Sequence, residues 1–241
     1  MKVTNYLLGY KDMYIVQDTE MFNFSLDSVL LPNFVTLSKN TNKILDIGCG
    51  NAPAPLILST KIDADIIGVE IQKEPYDMAV ESVKINKLED RIKIINADIN
   101  DIYKDFNVGS FDVITCNPPF FKYVESSNIN KNEYKTIARH EIKLNLEQLF
   151  NIAKYLLNNH GVIAVVHRPE RLVDIIDSMR KNGIEPKRIQ FVHPHIDKEA
   201  NIVLVEGKKS ANAGIKVLPS IISHTIDGEY TEEIKKFFEN N

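Results

Sequence analysis

Cysteine is scarce in this chain. Among 241 residues there are two, Cys49 and Cys116, with no C-x-x-C and no Cys/His spacing. That leaves no disulfide framework and no zinc site of the usual pattern. Long apolar runs are lacking too. The longest are strand-sized, such as 162–166, far below the roughly 18–20 residues of a membrane span. The opening MKVTNYLLGYKDMYIVQD has no apolar core followed by small residues, so it does not read as a secretory signal. Nor does one sign of charge dominate. Lys and Arg number 29 against 33 Asp and Glu, a net charge of −4, so composition alone announces no nucleic-acid partner, although a local basic patch remains compatible with it. Repeats and low-complexity tracts are absent. The expectation is a soluble, cytoplasmic protein with one core, no membrane contact and no evident obligate protein partner.

What is present begins at Lys43. Short apolar runs at 43–47, 66–69, 92–95, 111–116 and 161–167 alternate with helical patterns at 74–86, 144–157 and 169–182. In the first helix Pro75 suits the opening turn, and Ala79, Val80 and Val83 share one face. The second repeats apolar residues at Leu146, Leu149, Phe150, Ala153, Leu156 and Leu157. The third turns Leu172, Ile175, Ile176 and Met179 inward. Strands alternating with helices predict an α/β fold with a mostly parallel sheet covered on both faces. Runs at 188–193 and 201–206 have no helix between them and predict a late antiparallel hairpin. Before Lys43, residues 6–18 fit a short hairpin and 28–38 a helix, before which the stretch Ser25-Leu26-Asp27 offers N-cap candidates. Thr231 reads as the N-cap of a terminal helix. The division expected is an extension at 1–42, covering the site, and a main domain at 43–241.

The first run ends in Asp46-Ile47-Gly48-Cys49-Gly50-Asn51-Ala52. Glycines suit a sharp turn that must approach a ligand closely, and they equally suit any tight strand-to-helix connection. Glu70 closes the second run about 20 residues later, where an acid can accept both hydroxyls of a ribose. Asn96-Ala97-Asp98 follows the third run; Asp98 is placed to bind an adenine amine and Ile99 to cover the ring, with Ile71 beside Glu70. Three acids at the carboxyl ends of successive strands describe one nucleoside crevice. A dinucleotide is the rival ligand, but the third glycine of G-x-G-x-x-G is replaced by Pro53. S-adenosyl-L-methionine (AdoMet) carries no pyrophosphate and fits better.

Directly after the fourth run stands Asn117-Pro118-Pro119-Phe120. The lone pair of an aromatic amine is delocalised into its ring. The Asn117 side-chain oxygen and the Pro118 carbonyl can accept its two hydrogens and aim the lone pair at a methyl donor, with prolines fixing the backbone. Phe120 offers a face for a flipped base. No strong base is needed and no metal is called for. Adenine amines, guanine amines and glutamine amides all satisfy this geometry. A separate helical N-terminal domain usually accompanies glutamine enzymes, and 42 residues are too few for one. A non-catalytic AdoMet-sensing RNA-binding protein is a further reading, against which the intact tetrapeptide speaks.

Other residues carry dual readings. Residues 121–139 are long, polar and rich in Lys and Asn, which fits a substrate lid or a plain surface loop. Arg139 and His140 fit phosphate or base contacts, or a salt bridge at a helix start. His167, Arg168, Lys187, Arg188, His193, His195, Lys208 and Lys209 could line a basic edge, or be scattered solvated charges. Cys49 and Cys116 read as small buried residues.

Over nearly its whole length the chain resembles the bacterial tRNA1(Val) (adenine-N6)-methyltransferase family. The likeness runs through Phe22-Asn23-Phe24-Ser25-Leu26-Asp27-Ser28, the glycine turn, Asn117 to Phe120 and Ala138-Arg139-His140-Glu141. It continues in Pro186-Lys187-Arg188, Glu199-Ala200-Asn201, Val205-Glu206-Gly207-Lys208 and Asp227-Gly228-Glu229-Tyr230-Thr231. The resemblance implies a Rossmann-like class I fold with a seven-stranded sheet, AdoMet as donor, AdoHcy as product, and tRNA as substrate at the adenosine 3′ of the anticodon. It further implies that Phe24 and Asp27 cover the methionine end of AdoMet, with Asp46, Gly48, Gly50, Asn51, Glu70, Ile71, Asp98, Ile99 and Asn117 around the rest. Phe120, Phe121, Arg139, His140, Lys187 and Arg188 are the candidate RNA contacts. Many adenine enzymes have Tyr where this chain has Phe120, which keeps the stacking face and loses a hydroxyl.

Overall fold

The computed structural model describes residues 2–7, 10, 12–19, 25–118 and 144–239. An N-terminal hairpin, β1 (Lys2–Tyr6) and β2 (Tyr14–Asp18), precedes helix α1 (Leu26–Phe34). The main sheet then alternates β3 (Lys43–Ile47), α2 (Pro53–Lys61), β4 (Asp65–Glu70), α3 (Lys73–Ile85), β5 (Ile92–Asn96), the short α4 (Ile99–Ile102) and β6 (Phe111–Cys116). After residue 144 come α5 (Leu146–Leu156), β7 (Leu157–His167), α6 (Leu172–Lys181), β8 (Ile184–His193) and β9 (Ile202–Lys209). Two short strands, β10 (Lys216–Val217) and β11 (Ile221–Ile222), and helix α7 (Glu232–Glu239) end the chain.

The sheet order is β10-β8-β9-β7-β6-β3-β4-β5, with β11 also on β8. Strand β9 is antiparallel to both its neighbours, and the other pairings are parallel. The expected seven strands with a late hairpin are therefore present, and the two-residue strands β10 and β11 are additional. Side chains alternate between the two faces, as strand geometry requires. Ile44, Ile66, Val113 and Leu204 meet α1, α2, α3 and α7 on one side, while Leu45, Ile114, Val165 and Val205 meet α4, α5 and α6 on the other. Leu7, Ile15, Val29, Leu30 and Leu31 belong to the first of these cores, so the segment before Lys43 packs as part of the same body. Among the described residues no helix is long and apolar enough to cross a membrane.

Several expected elements shift. Helix α1 begins at Leu26 rather than Ser28 and stops at Phe34: the Val35 amide still closes the last turn on Leu31 O (3.1 Å), and the one after it, at Thr36, donates instead to Glu206 Oε2 (2.6 Å). On α3, Val80 faces solvent (40% exposed) and the inner face is Met78, Ala79, Ser82 and Val83. Helix α2 has no counterpart in the sequence reading. Its prolines sit in the first turn, where no intrahelical N–H is lost, and nearly all its residues are buried, so no polar stripe betrays it. Strand β7 starts at Leu157, directly out of α5, four residues earlier than the apolar run suggested.

The hairpin is docked by side chains standing in for a neighbouring strand. Val16 N–H donates to Ser82 Oγ (2.9 Å), Tyr14 N–H to Asn86 Oδ1 (2.8 Å), and Asn86 Nδ2 back to Tyr14 O (2.6 Å).

Arg188 lies in mid-strand, not at the site edge. Its guanidinium stacks on the Phe34 ring (4.7 Å to the centroid) and donates to Phe34 O, Thr36 Oγ1 and the carboxylate of Glu206, which is 3% exposed. Removing one member of such a pair leaves the other charge buried. Arg188→Leu is expected to destabilise the protein by about 3 kcal/mol, a fall in Tm of about 6–12 °C for a chain of this size. Thermal melts read this directly, and a shift below about 2 °C would show that the pair carries no net stability.

Candidate active site

Strand β3 feeds a turn in which Gly48 and Gly50 have φ of 71° and 56°, the left-handed region that glycine enters without strain. The amides of Gly48 and Cys49 both donate to Val69 O on β4 (2.8 and 3.1 Å). A Cβ built on either glycine meets no atom within 4 Å. The space beside the turn is thus open, as a close-lying ligand requires.

Glu70, the last residue of β4, holds this turn. Its Oε2 accepts from Gly50 N–H (2.9 Å) and its Oε1 from Gln72 N–H (2.8 Å), and it is 5% exposed. Burial pushes its carboxyl up, and the surrounding backbone N–H groups pull it back. Asn51 Nδ2 donates to Val16 O (2.8 Å), tying the turn to the hairpin. Asn96 Nδ2 donates to Glu70 O (2.8 Å) and Ile71 O (3.1 Å), fixing the chain as it leaves β4. Neither Val16 nor Asn96 is marked for this role by the sequence, where Asn96 stands out only as a neighbour of Asp98.

Asp98 lies at the same edge and N-caps α4. Its Oδ1 accepts from Asn100 N–H and from Asn100 Nδ2, both at 2.9 Å. Ile99 is packed into the core face carrying α5 and α6, and Ile71 is half-buried.

Asp46 is fully enclosed within the sheet, one position before Ile47. Thr115 Oγ1, its cross-strand partner on β6, donates to Asp46 Oδ1 (2.6 Å). Burial pushes the Asp46 carboxyl up to about 7, against the Thr115 hydrogen bond and with help from the nearby Glu70 charge. Nothing in the sequence singled out Thr115. A folded-state value above the unfolded one means that the native protein binds more protons between about pH 4 and pH 7. The associated stability is complete below pH 4 and is lost as pH rises through 7. Asp46→Asn keeps an acceptor for Thr115 and removes the charge. Relative to wild type it is expected to gain a few kcal/mol as pH rises from 4 to 8. Urea melts of both proteins across that range test this, and parallel curves would sink it.

Asn117 and Pro118 leave the end of β6, whose Cys116 pairs with Ile47 on one side and Val165 on the other. Asn117 therefore follows β6 where Gly48 follows β3, one strand spacing (about 5 Å) away. Asn117 is half-buried and Pro118 buried. Both thiols are buried, and burial, with Asp46 nearby, pushes Cys49 and Cys116 well above the ordinary range, so neither is a ready nucleophile. Phe24, Phe120, Phe121, Arg139 and His140, and the loop 121–139, lie outside the described residues.

On the other flank of Asn117, β7 ends in His167, with Arg168 next to it. His167 is 0% exposed and lowered to about 4, by burial first and then by Arg171 and Arg168. Its Nδ1 accepts from Arg168 N–H (2.8 Å), so it is a neutral ring inside the protein and no phosphate contact. Arg168 donates to Asn201 O (2.9 Å), and its charge opposes the burial that raises Asp27 on α1. The expected basic edge divides in two. His167, Arg168, His193 and His195 lie at the carboxyl ends of β7 and β8, whereas Lys187, Arg188, Lys208 and Lys209 lie towards their amino ends, because β9 runs backwards. Lys187 Nζ donates to Asn212 O and Lys209 Nζ to Leu157 O. The Lys187-Arg188 pair is thus not brought to the Asn117 edge.

Taken together, the carboxyl edge of β4, β3 and β6 carries a glycine turn beside open space, the buried Glu70 that holds it, and Asn117-Pro118 one strand away. Residues 26–176 match the family described as Methyltransferase small domain. The tRNA1(Val) (adenine(37)-N6)-methyltransferase of Trichodesmium erythraeum is 30% identical over 95% of this chain and 96% of that protein. The protein of the same name from Cytophaga hutchinsonii is 26% identical over 99% of this chain and 100% of its own length. Among solved structures, a predicted O-methyltransferase, protein Atu636 from Agrobacterium tumefaciens, superposes with a TM-score of 0.70 at 18% identity, over 88% of this chain and 95% of that one. This last likeness speaks for the fold alone.

Proposed function

The chain belongs to the methyltransferase small domain family, and from that premise we propose that it methylates the exocyclic N6 amine of adenine in tRNA, at the adenosine just 3′ of the anticodon of tRNA-Val. The observation that carries the reading is Asn117-Pro118 leaving β6 one strand from the open glycine turn. Relatives that share almost the full length and bear the name of that reaction support adenine over guanine or glutamine.

The residues at the turn suit AdoMet. Gly48 and Gly50 allow close approach, Glu70 faces the ribose hydroxyls, and Asp98 the adenine amine, with Ile71 and Ile99 along the ring. Asp27 and Phe24 close over the methionine end. Bound there, AdoMet supplies an electrophilic methyl group and leaves as AdoHcy. The Asn117 side-chain oxygen accepts one hydrogen of the target amine and the Pro118 carbonyl the other, which turns the nitrogen lone pair out of conjugation and along the line of attack. Phe120 stacks on the flipped base. The amine proton leaves to water after transfer, so the chemistry calls for neither a strong base nor a metal. On this reading the protein works in the cytoplasm, with the anticodon arm as its partner and the residues before Lys43 as a cover over the site.

Methyl transfer from labelled AdoMet into total tRNA lacking the modification, followed by nucleoside analysis, tests this. N6-methyladenosine in tRNA-Val that vanishes with Asn117→Ala is the expected result. Label in ribosomal RNA or protein with none in tRNA would overturn the substrate and leave the methyltransferase.

A further inference from the structure

The proposed site makes no use of the segment Asp227 to Thr231 or of the turn after β8. In the fold these two meet. His195, His224 and Tyr230 form a ladder of rings, with centroids 5.8 Å apart at 46° and then 4.9 Å apart at 36°. Backbone bonds fix the ladder: Ser223 N–H to His193 O (2.8 Å), His224 N–H to Pro194 O (3.0 Å), Thr231 N–H to Ser223 O (3.0 Å) and Thr225 N–H to Glu229 O (2.8 Å). Ser223 Oγ lies 2.8 Å from His224 Nδ1 and pins that ring. Two isoleucines flank the ladder almost wholly in solvent, Ile196 at 79% and Ile226 at 93%, and Tyr230 is 37% exposed. Apolar surface is thus held out in solvent beside rings whose positions are fixed.

Its position identifies the occupant. Strand β11 is parallel to β8, so the ladder stands at the same carboxyl edge as Asn117. The path along that edge from β6 through β7, β9 and β8 to β11 is four strand spacings, about 19 Å, a span that a few unstacked nucleotides bridge. The ladder's fringe is acidic, with Asp197, Glu199, Asp227 and Glu229 against Lys198. Such a fringe opposes the phosphates of the loop, so any attraction here comes from stacking on the ring faces and not from charge. We propose that the His195–His224–Tyr230 ladder, with Ile226, is a second base-stacking site that grips a nucleotide of the single-stranded loop flanking the one presented to Asn117. Stacking tolerates any base, so this site positions the loop, while selection of the target rests with the Asn117 pocket. The inference builds on the RNA substrate proposed above.

The test uses the full chain and a hairpin RNA with the sequence of the tRNA-Val anticodon arm. Tyr230→Ala is expected to raise the Kd for the hairpin about tenfold, and Tyr230→Phe to leave it within about twofold. Ile226→Ser, at a position too exposed to matter for folding, is expected to weaken binding about threefold. AdoMet affinity measured by calorimetry reports that each variant is folded. In the wild-type protein, 4-thiouridine placed in the loop is expected to cross-link to peptides containing 193–196 or 224–230. Unchanged affinity in Tyr230→Ala, or cross-links confined to other segments, overturns the ladder as an RNA site, and a protein partner seated there would give that result. If wild type methylates tRNA and only these results fail, the proposed function stands. If wild type neither binds nor methylates tRNA, both fall.

Discussion

Replacing Asn117 with alanine is expected to lower kcat for methyl transfer by about 10²–10³-fold, the usual effect of deleting a preorganised polar group that acts on the transition state. The lone pair of the target nitrogen is shared with its ring until an acceptor draws on the N–H. Without the Asn117 oxygen, the Pro118 carbonyl alone remains. The loss falls on kcat more than on KM, because the contact strengthens as the nitrogen becomes tetrahedral. Asn117→Asp returns an acceptor oxygen and is expected to recover part of the rate. Single-turnover assays at saturating RNA and AdoMet separate this effect from binding. A rate within threefold of wild type would remove Asn117 from the chemistry.

The second large effect is expected at Glu70. Its carboxylate accepts from Gly50 and Gln72, and in the proposed complex it also meets the ribose. Glu70→Ala takes away two charge-assisted acceptors for the ligand and strips two backbone N–H groups of their partner. A loss of at least about 100-fold in AdoMet affinity follows from two hydrogen bonds of about 1.5–3 kcal/mol each to a charged group. Glu70→Gln keeps one acceptor oxygen and is expected to fall between. Calorimetric titration with AdoMet measures the loss, and thermal melts record the part that comes from the loosened turn. Affinity unchanged in Glu70→Ala would show that the ribose lies elsewhere.

The parallel strands were legible in the sequence because burial on both faces writes them as unbroken apolar runs. The runs at 43–47 and 111–116 coincide with β3 and β6 residue for residue. The same burial hid α2, since a helix covered all round has no 3.6-residue stripe. The residues that brace the site were out of reach for a different reason. Thr115 meets Asp46 across 69 positions, and Ser82 meets Val16 across 66. Such pairs depend on strand register and helix phase together, and single polar residues do not announce either. Arg188 looked like half of a basic pair because its counter-charge, Glu206, arrives only when β9 lies antiparallel against β8. The reversed course of β9 likewise sets Lys208 and Lys209 at the opposite end of the sheet from His167 and Arg168.

The short strands β10 and β11 have a consequence for self-association. Strand β8 spans ten residues and would end the sheet with a row of unpaired amides and carbonyls. Instead, Lys216–Val217 and Ile221–Ile222 lie along it, Leu218 N–H reaches Ile189 O (2.8 Å), and Pro219 between them lacks an N–H to offer outward. An edge sealed in this broken way gives a second molecule no continuous template. Residues 211–222 thus act as a selvedge on the sheet, and a chain cut back to Ser210 would be a fibre-former in waiting rather than a smaller enzyme.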